Sequence, residues 1–136
     1  MREIKIFIVE SRPVFRQSLF SALEEMAPVR LIGWAEDEIS ASSWLRLHAF
    51  DCDLMIADVA LQRGSGLTLL KLVSELPCQM RSVILTSYSS PEIRRRCAEN
   101  GAQRVFDNSY EIDDLFAYCT ELAIGKGGAD GRNRTG

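Results

Sequence analysis

Asp58 closes the apolar run Leu54-Met55-Ile56-Ala57, which reads as a buried strand. A carboxylate at such a strand end is carried to the mouth of an open α/β sheet, where sheets of this kind do their chemistry. There it is either a nucleophile that accepts an electrophile such as a phosphoryl group, or an acid that bonds the amides of its own loop. Polar residues close the other strand-like runs as well. Glu10 and Ser11 follow Ile4 to Val9, Thr86 and Ser87 close the run from Ser82, and Asp107 and Asn108 follow Arg104-Val105-Phe106. In a parallel sheet every strand delivers its C-terminal residues to one edge, so these distant groups converge.

The elements that must position them alternate five times. Ile4-Lys5-Ile6-Phe7-Ile8-Val9 is β-branched and mostly apolar. Pro13 stands near the start of a helix, where its missing N–H costs nothing, and Phe15, Leu19, Leu23 and Met26 supply an apolar stripe. Pro28 punctuates, and Leu31 to Ala35 reads as a second strand. Asp37 is an N-cap for a helix with Ala41, Trp44, Leu45 and His48 along one side. The third strand is Asp53 to Ala57. Gly66 opens a helix with Leu69, Leu72, Val73 and Leu76 inward, and Pro77 ends it. Ser82 to Thr86 is the fourth strand, Pro91 starts a helix capped by Gly101, and Arg104 to Phe106 is a short fifth strand. Ile112, Leu115, Cys119 and Leu122 mark the last helix. Strands separated by helices of this length imply a parallel sheet with right-handed crossovers, covered on both faces. The expected fold is a doubly wound, five-stranded α/β domain over residues 1–124. A hydrophobe-poor segment, 125–136, is expected to be a flexible tail or linker.

Composition narrows the function. The chain has 136 residues, 46% hydrophobic and 26% charged, enough for one domain with a real core. A net charge of -3 argues against a nucleic-acid footprint in this domain. No apolar stretch is long enough to span a bilayer, and no signal-peptide pattern precedes the first strand, so a cytoplasmic location is expected. Cys52, Cys78, Cys97 and Cys119 lack Cys-x-x-Cys spacing and read as reduced thiols. With His48 as the one histidine, a zinc site is not expected.

From Ile4 to Ile124 the chain resembles a response-regulator receiver domain, of the type found in bacterial regulators with a C-terminal helix-turn-helix. The likeness is carried by Ile6 to Arg16, Asp53 to Asp58, Gly66-Leu67, Val83-Ile84-Leu85-Thr86 and Gly101-Ala102. The resemblance implies a flavodoxin-like (βα)5 fold and a phosphoprotein signalling role in a two-component phosphorelay, not an enzyme. It puts the phosphoacceptor at Asp58 and the hydroxyl that bonds phosphoryl oxygens at Thr86. It puts magnesium ligands at Glu10, Ser11, Asp58 and the Ala60 carbonyl, and the phosphoryl-pairing lysine at the position of Asn108. Implied partners are a sensor histidine kinase or other signalling protein, and a second copy docked through the helix four–strand five–helix five face. No nucleic-acid or membrane contact is implied for this domain.

The chain departs from that pattern. Ser11 replaces an acid, Asn108 the lysine, Gln62 the proline four residues beyond the phosphoacceptor, and Val105 the aromatic switch residue. Magnesium affinity follows ligand charge, so Mg2+ is expected to be held weakly or not at all. The expectation is a receiver degenerate at its phosphorylation site, acting by protein interaction or dimerisation. The alternatives are a working Asp58 phosphoacceptor that controls a C-terminal DNA-binding domain, and a flavodoxin-like cofactor binder. Two smaller readings complete the picture: Ser11 as N-cap of the Pro13 helix, and Arg94-Arg95-Arg96 as a solvated helix face.

Overall fold

Alternate residues of the strands point to opposite faces, and both faces are covered. The computed structural model describes residues 2–127. The elements are β1 (Ile4–Val9), α1 (Pro13–Met26), β2 (Val29–Ala35), α2 (Glu38–His48), β3 (Leu54–Ala57), α3 (Gly66–Glu75), β4 (Arg81–Thr86), α4 (Pro91–Glu99), β5 (Arg104–Asp107) and α5 (Ile112–Gly127). All strand pairs are parallel, in the order β2-β1-β3-β4-β5. Ile4, Ile6 and Ile8 pack with Leu54, Ile56, Val83 and Phe106 against Leu19 and Leu23 of α1 and Leu115 and Cys119 of α5. Phe7, Val9, Met55 and Ile84 face the other way, onto Leu45 of α2, Leu69, Leu70 and Val73 of α3 and Cys97 of α4. This is the doubly wound sheet that the alternation of patterns predicts.

Local signals set most helix ends. Asp37 caps α2 by accepting from the Ser40 amide, as expected. Ser65 caps α3 through the Leu67 amide and Ser90 caps α4 through Ile93. Gly101, at φ +102°, takes the left-handed conformation after α4. All four cysteines are free; burial pushes the thiols of Cys52 and Cys119 up to about 12.

Several expectations are corrected. β2 begins at Val29, not Leu31, and its register with β1 shifts between Ile6 and Phe7, leaving Ile32 as an extra residue. Met26 lies outside the apolar stripe: Leu23 is the last buried residue of α1, and the chain turns extended at Ala27. His48 is exposed, beside the Trp44 ring, which stacks on Phe7 with centroids 3.9 Å apart. α5 runs to Gly127, into the segment read as a tail; residues 128–136 of that segment lie outside the described residues.

The arginine run divides. Arg95 makes an exposed i,i+4 pair with Glu99, as a solvated face should. Arg94 does not: its guanidinium donates to the carbonyls of Ser89 and Val105 and to Glu111 Oε1 at 2.6 Å. Glu111 also accepts from the Asp107 amide, so one ion pair joins α4, β5 and the start of α5. Phe106 is in the core, whereas Tyr88 is exposed.

Candidate functional site

The strand order places a topological switch point between β1 and β3, because the chain leaves these neighbours toward opposite faces of the sheet. Their ends carry Glu10 and Asp58. The Asp58 amide donates to the Val9 carbonyl at 3.1 Å and the Glu10 amide to Ala35 at 2.9 Å, so the ladder continues one residue past each strand. Both acids are buried, with 3% of Glu10 and 5% of Asp58 exposed.

Asp58 is enclosed by its own loop. Its Oδ1 accepts from the Ala60 amide at 3.2 Å. Gly66, at the start of α3, lies so close that a β-carbon there would stand 2.2 Å from the Asp58 carbonyl oxygen. Burial pushes the Asp58 carboxyl above the ordinary range. Hydrogen bonding from Thr86 and Ala60 opposes that shift, Glu10 adds to it, and Arg12 opposes it. Thr86 is fully buried at the end of β4, and its hydroxyl also accepts from the Tyr88 amide at 3.2 Å. An open groove of about 790 Å3 runs alongside, lined by Val59, Ala60, Tyr88 and Ile93 among others.

Ser11 does not cap α1. The N-cap is Arg12, with no side-chain cap bond. The Ser11 hydroxyl instead donates to the Glu36 carbonyl at 2.6 Å and accepts from the Gln62 amide at 2.7 Å. It ties together the loops after β1, β2 and β3, and its oxygen is committed to them.

The cation at this site is one that the residue pattern did not flag. Arg12 donates to Glu10 from its backbone amide (2.8 Å), from Nε (3.0 Å) and from a terminal nitrogen (3.2 Å). The same terminal nitrogen lies 3.7 Å from Asp58 Oδ2. The guanidinium rests on the Phe15 ring, 4.3 Å from its centroid. Glu10 is therefore neither solvated nor free. The signal that could have found this is an arginine directly after a strand-end acid, with an aromatic residue three positions on.

Asn108 follows β5, and its Oδ1 accepts from the Ser87 hydroxyl at 3.1 Å. Thr86 and Asp107 are register partners, so Thr86 and Asn108 do converge at one edge. Val105 is half-buried on β5.

The donor set does not suit a divalent ion. Glu10 is held by a guanidinium, Ser11 is spent on two loops, and Asp58 has Arg12 as its neighbour. Among the described residues, no cluster of three or more His, Cys, Asp or Glu side chains could hold a metal.

A profile of the response regulator receiver domain matches residues 6–120. The chain belongs to this family. It is 24% identical over 116 residues to the Fimbriae Z protein of Salmonella typhimurium, covering 85% of this chain and 54% of that protein. It is 29% identical over 126 residues to the transcriptional regulatory protein YvfU of Bacillus subtilis, covering 90% of this chain and 60% of that one. The chain thus spans about half the length of the curated relatives it matches. In fold it is similar to the signal receiver domain of the response regulator NarL from Mycobacterium tuberculosis. That match has a TM-score of 0.80 at 18% identity and covers 92% of this chain and 99% of that one. Receiver domains of two-component response regulators are soluble signalling modules that generally bind Mg2+ where they are phosphorylated. The pocket around Asp58 is this receiver's version of that place.

Proposed function

We propose that this receiver domain signals chiefly through protein contacts, with phosphoryl chemistry at Asp58 reduced. The observation that carries the reading is the charge around Asp58. Its attack on a phosphodonor brings two anions together, and cations must offset them. The position after β5 offers the neutral Asn108, already bonded to Ser87. One further carboxylate, Glu10, remains of the acidic pair, and Arg12 occupies it. Each electrostatic contribution lost from such a transition state is worth a few kcal/mol, roughly two decades or more in rate.

On this reading residues 1–124 form the signalling unit and residues 125–136 serve as a linker. The partners are a sensor histidine kinase or another signalling protein, and a second copy through the α4–β5–α5 face. That face is braced by Arg94 and Glu111, and exposes Tyr110, Arg95 and Arg96. With Val105 in place of an aromatic residue, a rotamer readout on β5 is not part of the mechanism. DNA contact belongs to whatever output domain the parent protein carries. No helix among the described residues is long and apolar enough to cross a membrane, in keeping with a cytoplasmic site of action.

A working phosphoacceptor that controls a DNA-binding output domain is the second reading. It is favoured by Asp58, Thr86 and the Ala60 amide standing together. Incubation with acetyl phosphate and MgCl2, followed by intact mass, separates the two. We expect little or no gain. A prompt gain of one phosphoryl group, absent from Asp58→Asn, refutes the first reading and establishes the second. The flavin-binding alternative has no phosphate-cradling loop to rest on, since the turn after β1 is filled by Ser11 and Arg12.

A further inference from the structure

Resting on that reading, we propose that Arg12 is the resident cation of this pocket. Its guanidinium takes the place of a divalent ion between Glu10 and Asp58, and excludes one while it is there.

Four observations support this. The fork of Arg12 meets both oxygens of Glu10, at 3.0 and 3.2 Å, the planar geometry in which a guanidinium binds a carboxylate best. The nitrogen that reaches Glu10 Oε1 also faces Asp58 Oδ2 at 3.7 Å, so one group spans both acids. Phe15 supports the guanidinium face from one turn into α1, limiting the freedom the side chain must lose to hold this pose. Ser11, which could have offered a further oxygen, is bonded to Glu36 and Gln62 instead. A divalent ion entering here has to displace a positive charge from Glu10 or share that carboxylate with it. It gains no third carboxylate in return. Arg12 is thus a positioning residue. It sets the charge of the pocket and holds the Glu10 and Asp58 side chains, and no ion in solution needs to arrive.

The test compares the wild type with Arg12→Gln, which keeps much of the side-chain bulk without the charge, and with Arg12→Lys. Melting is followed against MgCl2. Broadening of backbone amide signals is followed against MnCl2 by two-dimensional NMR. A ligand that binds only the folded state raises the melting temperature in proportion to its occupancy. We expect no magnesium-dependent shift and no localised broadening in the wild type. In Arg12→Gln we expect a magnesium-dependent rise, broadening centred on Glu10, Asp58 and Ala60, and at least about tenfold tighter binding. Arg12→Lys, which retains charge, should behave like the wild type. If the wild type binds as tightly as Arg12→Gln, or if neither variant gains a site, Arg12 is not what excludes the ion. Should Arg12→Gln not fold without metal, recovery of folding by MgCl2 in that variant supports the proposal, and failure to recover opposes it. The phosphodonor assay repeated with a chelator separates this from the preceding reading. Metal-free phosphorylation of the wild type sinks reduced chemistry at Asp58 and leaves the resident cation standing. Tight wild-type metal binding without phosphorylation does the reverse.

Discussion

Ser11 replaces an acid of the receiver pattern, and the structure shows why putting the acid back should harm this protein. The Ser11 hydroxyl donates to the Glu36 carbonyl at 2.6 Å and accepts from the Gln62 amide at 2.7 Å, joining segments 25 and 51 residues away. A buried or half-buried hydrogen bond contributes about 0.5–1.5 kcal/mol net. Gln62 is exposed and its amide can return to water, so Ser11→Ala should cost about 1–2 kcal/mol. For a domain of this size each kcal/mol moves the melting temperature by roughly 3–5 °C. Ser11→Asp should cost more at neutral pH. A carboxylate can still accept from Gln62, but it cannot donate to Glu36, and it sets an acceptor against an acceptor. It also adds a negative charge beside Glu10 and Asp58, which share one guanidinium. We expect a loss of about 2–3 kcal/mol in metal-free buffer at pH 7. The excess over Ser11→Ala should shrink as the pH falls, because a protonated carboxyl regains a donor. Urea unfolding of the three proteins across pH checks both points. If Ser11→Asp proves as stable as the wild type at pH 7, the hydroxyl is not bridging these loops and the pocket has cationic capacity to spare.

Three further outcomes rest on the same geometry. Gly66→Ala should cost about 2 kcal/mol or more, because its β-carbon meets the Asp58 carbonyl at 2.2 Å and Val59 Cα at 3.2 Å, both backbone. Gly101→Ala, at φ +102° with Ser74 Cβ no nearer than 3.5 Å, should cost only about 1 kcal/mol; the opposite ranking in urea midpoints rules out the close approach at Gly66. Burial holds the Asp58 carboxyl above its unfolded value, so the folded state binds the proton more tightly, and this contribution fades as pH rises from the unfolded toward the folded value. Asp58→Asn should therefore be more stable than the wild type at pH 7, with an advantage that vanishes below the unfolded carboxylate range; a gain independent of pH speaks against burial as the cause. Arg94→Ala removes the tie from α4 to Val105 and Glu111 and should speed hydrogen exchange at the Asp107 amide, which Glu111 holds. Unchanged exchange there means that Arg94 does not brace this face.

The range of each interaction decides how far it can be read in the residues. Ile4, Ile6 and Ile8 against Phe7 and Val9 is a pattern of neighbours, and it announces a strand covered on both sides. Asp37, Pro91 and Gly101 act within one helical turn, and they sit where expected. The convergence of Glu10, Asp58 and Thr86 follows from parallel topology alone. The roles of Ser11, Arg12 and Arg94 depend on partners that topology brings near but local pattern does not name. Ser11 looked like a cap because caps are local, yet its partners lie on two other loops. Arg94 looked solvated because its neighbours Arg95 and Arg96 are. Gly33 passed unnoticed, although a β-carbon there would stand 2.4 Å from Trp44 Nε1 and break the stack on Phe7.

The substitutions around Asp58 make sense jointly rather than singly. In the family pattern three carboxylates face a lysine and a divalent ion, and the charges balance when the ion is bound. Here one carboxylate has become Ser11 and the lysine has become Asn108, while Arg12 supplies one fixed positive charge. Had Ser11 stayed acidic, Arg12 alone would leave two negative charges uncompensated in a buried pocket, a cost that burial magnifies. With Ser11 neutral, a single guanidinium leaves one. The Asp58 carboxyl, raised by burial, stands closest to taking up a proton. Asp58 in turn bonds with Thr86, whose hydroxyl holds the Tyr88 amide at the entry to α4. On the proposed reading, the chain's own charges hold that path in one arrangement. A change at Arg12 should therefore reach the α4 surface through Asp58 and Thr86, without any phosphoryl group being added.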